Sequence, residues 1–424
     1  MTTTPQDLAE QVLGLVGDRA QAQVRASRTR HGLTRFANSH IHQHVGEDTL
    51  QATLRVVRDG RVLQVSTTRT GPDALAALVD GALVAVDQAP VDPGFPGLAP
   101  DGPAPAHDVA APDPSATPGD RAEVVAGFVA AGPDSNAAGY CESVDEEVVL
   151  ASTTGRVRAG RTTRATVDGI HRTPTSAGTG HHTSASVADL DGAAAGARAA
   201  DLARRGTDPG DIEPGRYEVV LAPEPVATIT VFLAAYGFNG RAVAEERSPV
   251  APGGQQFDPA ITLTDDPTDP RSLGLPFDHE ATDRAATPLV VDGRVVGLAH
   301  DRRSAATAGV ASTGHHGPWS DMLGPVATSL VMAPGTTSFD DLVAGVERGI
   351  LITAFNYCRV LDPKTLVVTG LTRNGTFLVE DGRLVRPLGN LRFTQSFTEA
   401  LAPGGVLAVG SDDRHAEGEF GPGT

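Results

Sequence analysis

Apolar and polar positions alternate over residues 22–30, 33–38 and 49–58. That period belongs to strands with one buried face. Asp59-Gly60 then marks a hairpin turn, and residues 61–67 read as the return strand. Leu8, Val12, Leu13 and Val16 recur at helical spacing instead. Further helices are expected over 73–88 and 121–131, and strands over 141–150 and 156–170, joined at Thr154-Gly155. Residues 184–190 predict one more strand. Residues 191–206 predict an Ala-rich helix with Asp191 as its cap. Residues 89–118, dense in Pro, Gly, Asp and Ala, read as a surface connection or covering strap.

A Pro-rich stretch at 209–214 is a natural boundary. Beyond it, residues 217–221 form a short β-like run that Pro223 and Pro225 interrupt, and proline is tolerated in the first turn of a helix. Nothing from Val226 to Phe238 is charged. The length of that run favours a buried helix and is too short to cross a bilayer. Residues 245–275 read as loop, with a solvated acidic cluster at Asp265, Asp266 and Asp269. A hairpin is expected at Asp292-Gly293 and a helix over 338–348. Strands over 349–357, 365–372, 376–380 and 383–388 turn at Asn374-Gly375 and Asp381-Gly382, which predicts a meander. The fold class is α+β. An N-terminal mixed sheet-and-helix domain (1–210) precedes a β-rich C-terminal domain (211–424) wrapped around the central apolar helix.

Length and composition sharpen this picture. At 424 residues, two domains are the natural expectation. Aromatics make up only 4%, so the core must be built mainly from Val, Leu and Ala. A net charge of −18 argues against nucleic acid as a main partner, because that affinity comes largely from neutralising phosphates. Two distant cysteines, Cys141 and Cys358, offer no disulfide framework and suit a reducing cytoplasm. The first residues, MTTTPQDLAEQ, carry no signal-peptide core, so a cytoplasmic, non-membrane protein is expected.

The histidines cluster. His40, His42 and His44 alternate, so on a regular strand they would share one face and could hold a metal; the plainer reading is an exposed polar edge. His181-His182 and His315-His316 lie in Gly/Ser/Thr-rich stretches and are candidates to line a substrate groove. As neighbours on a strand, the members of such a pair would point apart. His279-Glu280 with Asp283 resembles HExxH but lacks the second histidine, and reads as loop. Cys358, beside Arg359, is a candidate nucleophile, a metal ligand or a buried small apolar group.

The stretch TGLTRNGTFLVEDG (369–382) resembles the TldD/PmbA family of two-subunit zinc-dependent peptidases. TRFANS (34–39), RVVRDG (55–60), LPFD (275–278), TPL (287–289), STG (312–314) and Arg392-Phe393 fit the same family, in order along nearly the whole chain. The resemblance implies dimers of a TldD-type and a TldE (PmbA)-type chain around an enclosed cleft that cleaves unfolded or short peptides, leader peptides among them. It implies a zinc site in the TldD-type chain, made by HExxxH on a helix and a cysteine from a later β region. Anchored on Asn239-Gly240, the three motif positions fall here on Val231, Phe232 and Tyr236, which cannot form that site. Cys358 falls near the ligand cysteine. The resemblance therefore implies a TldE-type subunit with no metal or catalytic residue of its own. Zinc is expected in a TldD-type partner, and an extended peptide as substrate. Alternatives are a metal-independent hydrolase using Cys358 and a peptide-binding homodimer. A role in DNA topology, also attached to the family, is disfavoured by the negative charge.

Overall fold

A computed structural model describes residues 3–103 and 116–418 of the chain. The alternation in the first half builds one six-stranded sheet. Helix α1 (Pro5–Val16) leads into β1 (Gln21–Ala37), β2 (His40–Arg58) and β3 (Arg61–Thr67). Helices α2 (Pro72–Val86) and α3 (Pro118–Ala130) precede β4 (Asn136–Ser152), β5 (Val157–Arg172) and β6 (Ala177–Ser184), and α4 (Gly192–Arg205) follows. The sheet runs β3-β2-β1-β4-β5-β6, antiparallel throughout. Asp59 and Gly60 both adopt positive φ (48° and 72°), the type I′ geometry that matches strand twist. Thr4 and Thr117 cap α1 and α3 in reciprocal boxes with Asp7 and Asp120.

The four helices cover one face of this sheet. Val24, Leu54 and Val149 meet α1 and α2, while Cys141 and Val167 meet α3 and α4. Aromatics are few here, and Ala, Val and Leu fill the space. The opposite face is polar and turns towards the second half of the chain. Gln23 donates to the His279 carbonyl (2.7 Å), and Arg156 and Arg158 pair with Asp283 (2.9 and 2.6 Å). Val148 and Leu150 pack against Phe277 and Ala281. Residues 89–103 form the expected strap: Asp92 N bonds the Gly60 carbonyl, and Thr154 donates to the Ala99 carbonyl. The rest of that connection, 104–115, lies outside the described residues.

The second half opens with β7 (Glu218–Leu221) and α5 (Pro223–Phe232), which continues as a π turn over Leu233–Gly237. There follow α6 (Gly240–Ala244), β8 (Leu263–Asp265), β9 (Thr287–Val291), β10 (Arg294–Val295), α7 (Arg302–Ala308), α8 (Ser320–Leu323) and β11 (Leu330–Met332). Then come α9 (Phe339–Ala344), β12 (Arg348–Ile352), β13 (Phe355–Asp362), β14 (Val367–Thr372), β15 (Thr376–Glu380), β16 (Arg383–Pro387), β17 (Arg392–Ser396) and α10 (Phe397–Ala400). Three small sheets result: β10-β9-β8-β11, β16-β15-β12-β7 and β13-β14-β17. Ile229, Phe232 and Leu233 bury α5 among Leu289, Leu366 and Phe397. The architecture is α+β, as expected.

Four expectations are corrected. Residues 184–190 are not a strand; β6 precedes them, and a 3-10 turn occupies Val187–Asp189. The missed strand holds Gly178 and Gly180, where a Cβ would strike the Ala199 and Ala195 carbonyls of α4; glycine is there for close approach. His40, His42 and His44 do not share a face. The register slips between Arg35 and Phe36, leaving His42 unpaired, so His40 opposite Ala37 and His44 opposite Thr34 point to opposite sides. The meander does not form at Asn374-Gly375, because β14 pairs with β13 and β17 whereas β15 pairs with β12 and β16. Asp265 is not solvated; it is fully buried.

Candidate functional site

The central helix is fixed before any side chain on it is considered. Pro223 and Pro225 start α5, and Asn239 ends the π turn by accepting from Ala242 N and donating to the Leu323 carbonyl (2.7 Å). The π turn closes with Phe238 N on the Leu233 carbonyl (2.8 Å), a geometry that re-aims side chains by one residue. Phe232 is buried, stacked at 6.2 Å on the half-buried Tyr236 and edge-on to Phe397 at 5.9 Å. Val231 is half-buried. Zinc requires nitrogen, sulfur or carboxylate ligands. Val231 and Phe232 carry no donor atom, so the residues present here do not fit a zinc ion. Among the described residues, no three His, Cys, Asp or Glu side chains are grouped to hold an ion.

Cys358 packs in the same apolar cluster as α5 and has no exposed surface. A bulge in β13 puts it there: Asn356 pairs with Leu371 and Arg359 with Thr369, and Tyr357 is turned to φ +60°. The Arg359 guanidinium lies over the exposed Tyr357 ring (4.6 Å) and donates to the Cys358 carbonyl.

Beside α5 opens a cleft of about 1560 Å³. It exceeds the roughly 300–1,000 Å³ of small-molecule sites and suits a longer, extended ligand. Val226 and Thr230 of α5, Met332 of β11, Phe393 of β17 and the segment after Gly405 line it. None of the four candidate groove histidines does. A second cleft, of about 620 Å³, is lined by His316 together with Arg55, Glu280, Asp301 and Arg303. His315 is buried, with Thr313 Oγ1 at 2.7 Å on Nδ1 and Asp265 Oδ2 at 2.9 Å on Nε2. Arg284 also pairs with Asp265 (2.9 Å), and Thr328 N and Ser329 N donate to it. Burial opposes the Asp265 charge, but the His315 hydrogen bond and the Arg284 charge prevail and hold its carboxyl well below the usual range.

His181 and His182 part company across β6. His182 faces α4, and its Nδ1 accepts from Asp191 N (2.9 Å). Burial, then the neighbouring His181 and Arg198 charges, push its pKa down. His181 lies on the polar face, where Nδ1 meets Asp168 Oδ2 (3.2 Å) and Nε2 meets Thr183 Oγ1 (3.0 Å). Burial works against its protonation, yet the Asp168 hydrogen bond and the Glu417 and Asp168 charges raise its pKa overall.

Glu417 is the functional-looking residue that the sequence pattern did not single out. It comes from the chain's end, after the last helix, and its carboxylate accepts from Thr183 Oγ1 at 2.9 Å and Thr166 Oγ1 at 3.5 Å. Arg164 approaches it at 4.0 Å and His181 Nε2 at 3.6 Å. No periodicity connects residues 234 positions apart. The available signal was a polar quartet on one face of a strand pair, Thr166 opposite Thr183 and Asp168 opposite His181.

Residues 214–424 match the model of the PmbA/TldA metallopeptidase C-terminal domain. The Metalloprotease TldD homolog of Haemophilus influenzae is 27% identical over 163 residues, 38% of this chain and 33% of that protein. A Metalloprotease of Methanothermobacter thermautotrophicus is 25% identical over 155 residues, 36% of this chain and 33% of that one. The chain thus spans about a third of the length of the curated relatives it matches. Among solved structures, TldE from Thermococcus kodakarensis superimposes with a TM-score of 0.81 at 18% identity, covering 94% of this chain and 92% of that one. A protein from Thermotoga maritima, described as a candidate modulator of a DNA gyrase, gives 0.82 at 17% identity, covering 97% of each chain. Fold, order of elements and family model agree: the chain belongs to the PmbA/TldD family of metallopeptidase-like proteins.

Proposed function

We propose that this chain is a non-catalytic, TldE/PmbA-type subunit that pairs with a zinc-bearing TldD-type chain in a peptidase of unfolded or short peptides. The observation that carries this is the central helix. Where the family's zinc motif would stand, Val231, Phe232 and Tyr236 offer an apolar and aromatic surface packed on Phe397. The likeness to a TldE fold supports the reading. In it, residues 1–210 and 211–424 act as two domains, and the partner supplies the metal and its activated water. This chain shapes the chamber and offers strand edges on which an extended peptide can add as a further strand. His181, His182, His315 and His316 are its candidate substrate-side positions, directly or through the groups they orient.

A cysteine hydrolase built on Cys358 is the weaker reading. A nucleophile must reach its substrate and a base, and this thiol is sealed under the β13 bulge with no exposed surface.

The test is the metal content of the purified chain, alone and co-expressed with a chain bearing intact HExxxH. The reading expects no stoichiometric zinc alone and about one zinc per heterodimer, with peptide cleavage only in the pair. Stoichiometric zinc in the lone chain overturns it.

A further inference from the structure

The chain's last described segment lies in the crevice between α5 and the polar face of the six-stranded sheet. Up to Ser411 it is tied by backbone bonds: Gly335 N to the Gly410 carbonyl, and Ser411 N to the Thr337 carbonyl. From there side chains hold it. Asp413 pairs with Arg271, Arg414 with Glu224 in the first turn of α5 (2.7 Å), and Glu417 enters the sheet face. Gly418 packs against Ala227 and Thr228 of α5.

The receiving pocket is built. Thr166, His181 and Thr183 are each at least nine-tenths buried. They are bonded to one another, Thr166 Oγ1 to Thr183 Oγ1 at 2.8 Å and Thr183 Oγ1 to His181 Nε2 at 3.0 Å. Asp168 orients the imidazole and Glu142 holds Arg164 (2.9 Å). Thr183 Oγ1 stands 2.9 Å and Thr166 Oγ1 3.5 Å from the Glu417 carboxylate, with His181 Nε2 at 3.6 Å and the Arg164 guanidinium at 4.0 Å, so hydroxyl donation and a guanidinium charge converge on one carboxylate. The tail that fills the pocket fits less well elsewhere. His415 is drawn in with it, and its Nε2 is buried without a hydrogen-bond partner among the described residues, which opposes docking.

We infer that Arg164, Thr166, His181 and Thr183 form a subsite for a glutamate side chain of an extended peptide, occupied in cis by residues 412–417. This deepens the reading above by naming the peptide chemistry. Its test needs neither metal nor partner, so its failure leaves the subunit assignment standing. Tethered beside the pocket, the tail acts at an effective concentration on the order of millimolar and closes the subsite until a peptide displaces it.

The experiment uses the full chain and a fluorescein-labelled octapeptide, SDDRHAEG, read by fluorescence anisotropy. In the Glu417→Gln chain, the cis tail loses a charge-assisted bond and the labelled peptide binds about ten- to a hundredfold more tightly than to the parent chain. The same peptide with Gln in place of its Glu binds that chain about tenfold more weakly or worse, as does the labelled peptide to a Glu417→Gln, Thr183→Val chain. Trypsin cuts after Arg414 sooner in Glu417→Gln than in the parent, a readout independent of the probe. Equal binding to parent and variant, no difference between Glu and Gln peptides, or unchanged tryptic cleavage overturns the inference.

Discussion

His315 and His181 each stand between a threonine hydroxyl and an aspartate, at 2.7 and 2.9 Å in one case and 3.0 and 3.2 Å in the other. Around His315 the partners of Asp265 all come from fixed elements. Arg284 neutralises Asp265, and two backbone amides and the imidazole complete its carboxylate. Around His181 the balancing acid arrives from the end of the chain, and Asp168 stays 38% exposed. The same three residue types therefore make a structural lock in one place and a receptor in the other. What separates them is whether the last partner belongs to the local scaffold.

The largest effect is expected where the lock is broken. Asp265→Asn leaves Arg284 buried without its counter-charge, which costs about 3–5 kcal/mol, read as a lowered urea midpoint with unchanged m. The parent's own acid response follows the same group. Its folded pKa is depressed, so its contribution is full above the ordinary value of 3.8 and is lost as pH falls through the folded one. A variant as stable as the parent would mean that the two histidine clusters do not differ in kind.

The next effect belongs to the tail. Burial first, then the charges of His181, Arg164 and Arg414, drives the His415 pKa down to about 4. It docks neutral, so docking is undiminished above pH 6.5 and weakens as pH falls towards 4, by about 3 kcal/mol over that span. His181 does not oppose this. Its raised pKa adds a contribution that is already full below 6.5 and is lost only as pH rises through the raised value. The other charged groups facing this corner include Glu142 on β4, Asp168 and Arg164 on β5, His182 on β6, Arg198 on α4, Glu224 on α5, and Arg414 and Glu417 in the tail. Hydrogen exchange of residues 412–418, corrected for intrinsic rates, should speed up between pH 6.5 and 5 while the sheet stays protected. A tail protected equally at both values contradicts this.

Two smaller effects complete the series. Thr183→Val removes the hydroxyl bridging His181 and Glu417 and should cost about 1 kcal/mol of global stability while freeing the tail for trypsin. Asp168→Asn should change stability by less than about 1 kcal/mol, because the group is partly solvated. It should still lower the His181 pKa, measured by NMR titration of the ring protons. An unmoved His181 would show that Asp168 does not set its charge.

Much of this architecture is legible in the chain. The strict alternation over residues 22–30 and 49–58 gave one buried and one polar face, and Asp59-Gly60, Asp292-Gly293 and Asp381-Gly382 all turn with the positive φ their composition demands. Other features depend on contacts that no local pattern encodes. Asn374-Gly375 has the same turn chemistry, but β12 and β17 compete for its flanking strands and pull them into different sheets. Asp265 reads as solvated next to Asp266 and Asp269, because its partners His315 and Arg284 lie 50 and 19 residues away. At the candidate site, the uncharged helix and its apolar motif positions were readable, and the pocket completed by Glu417 was not.

The contact between Thr183 and Glu417 spans 234 residues. Chains emerge and fold from the N-terminal end, so distant partners meet late. The residues of the β5 and β6 polar face are therefore made before the carboxylate that completes it. The hydrogen bonds that join Thr166, Thr183, His181 and Asp168 all lie within β5 and β6, so the pocket's walls are set by strands made well before the acid that completes it.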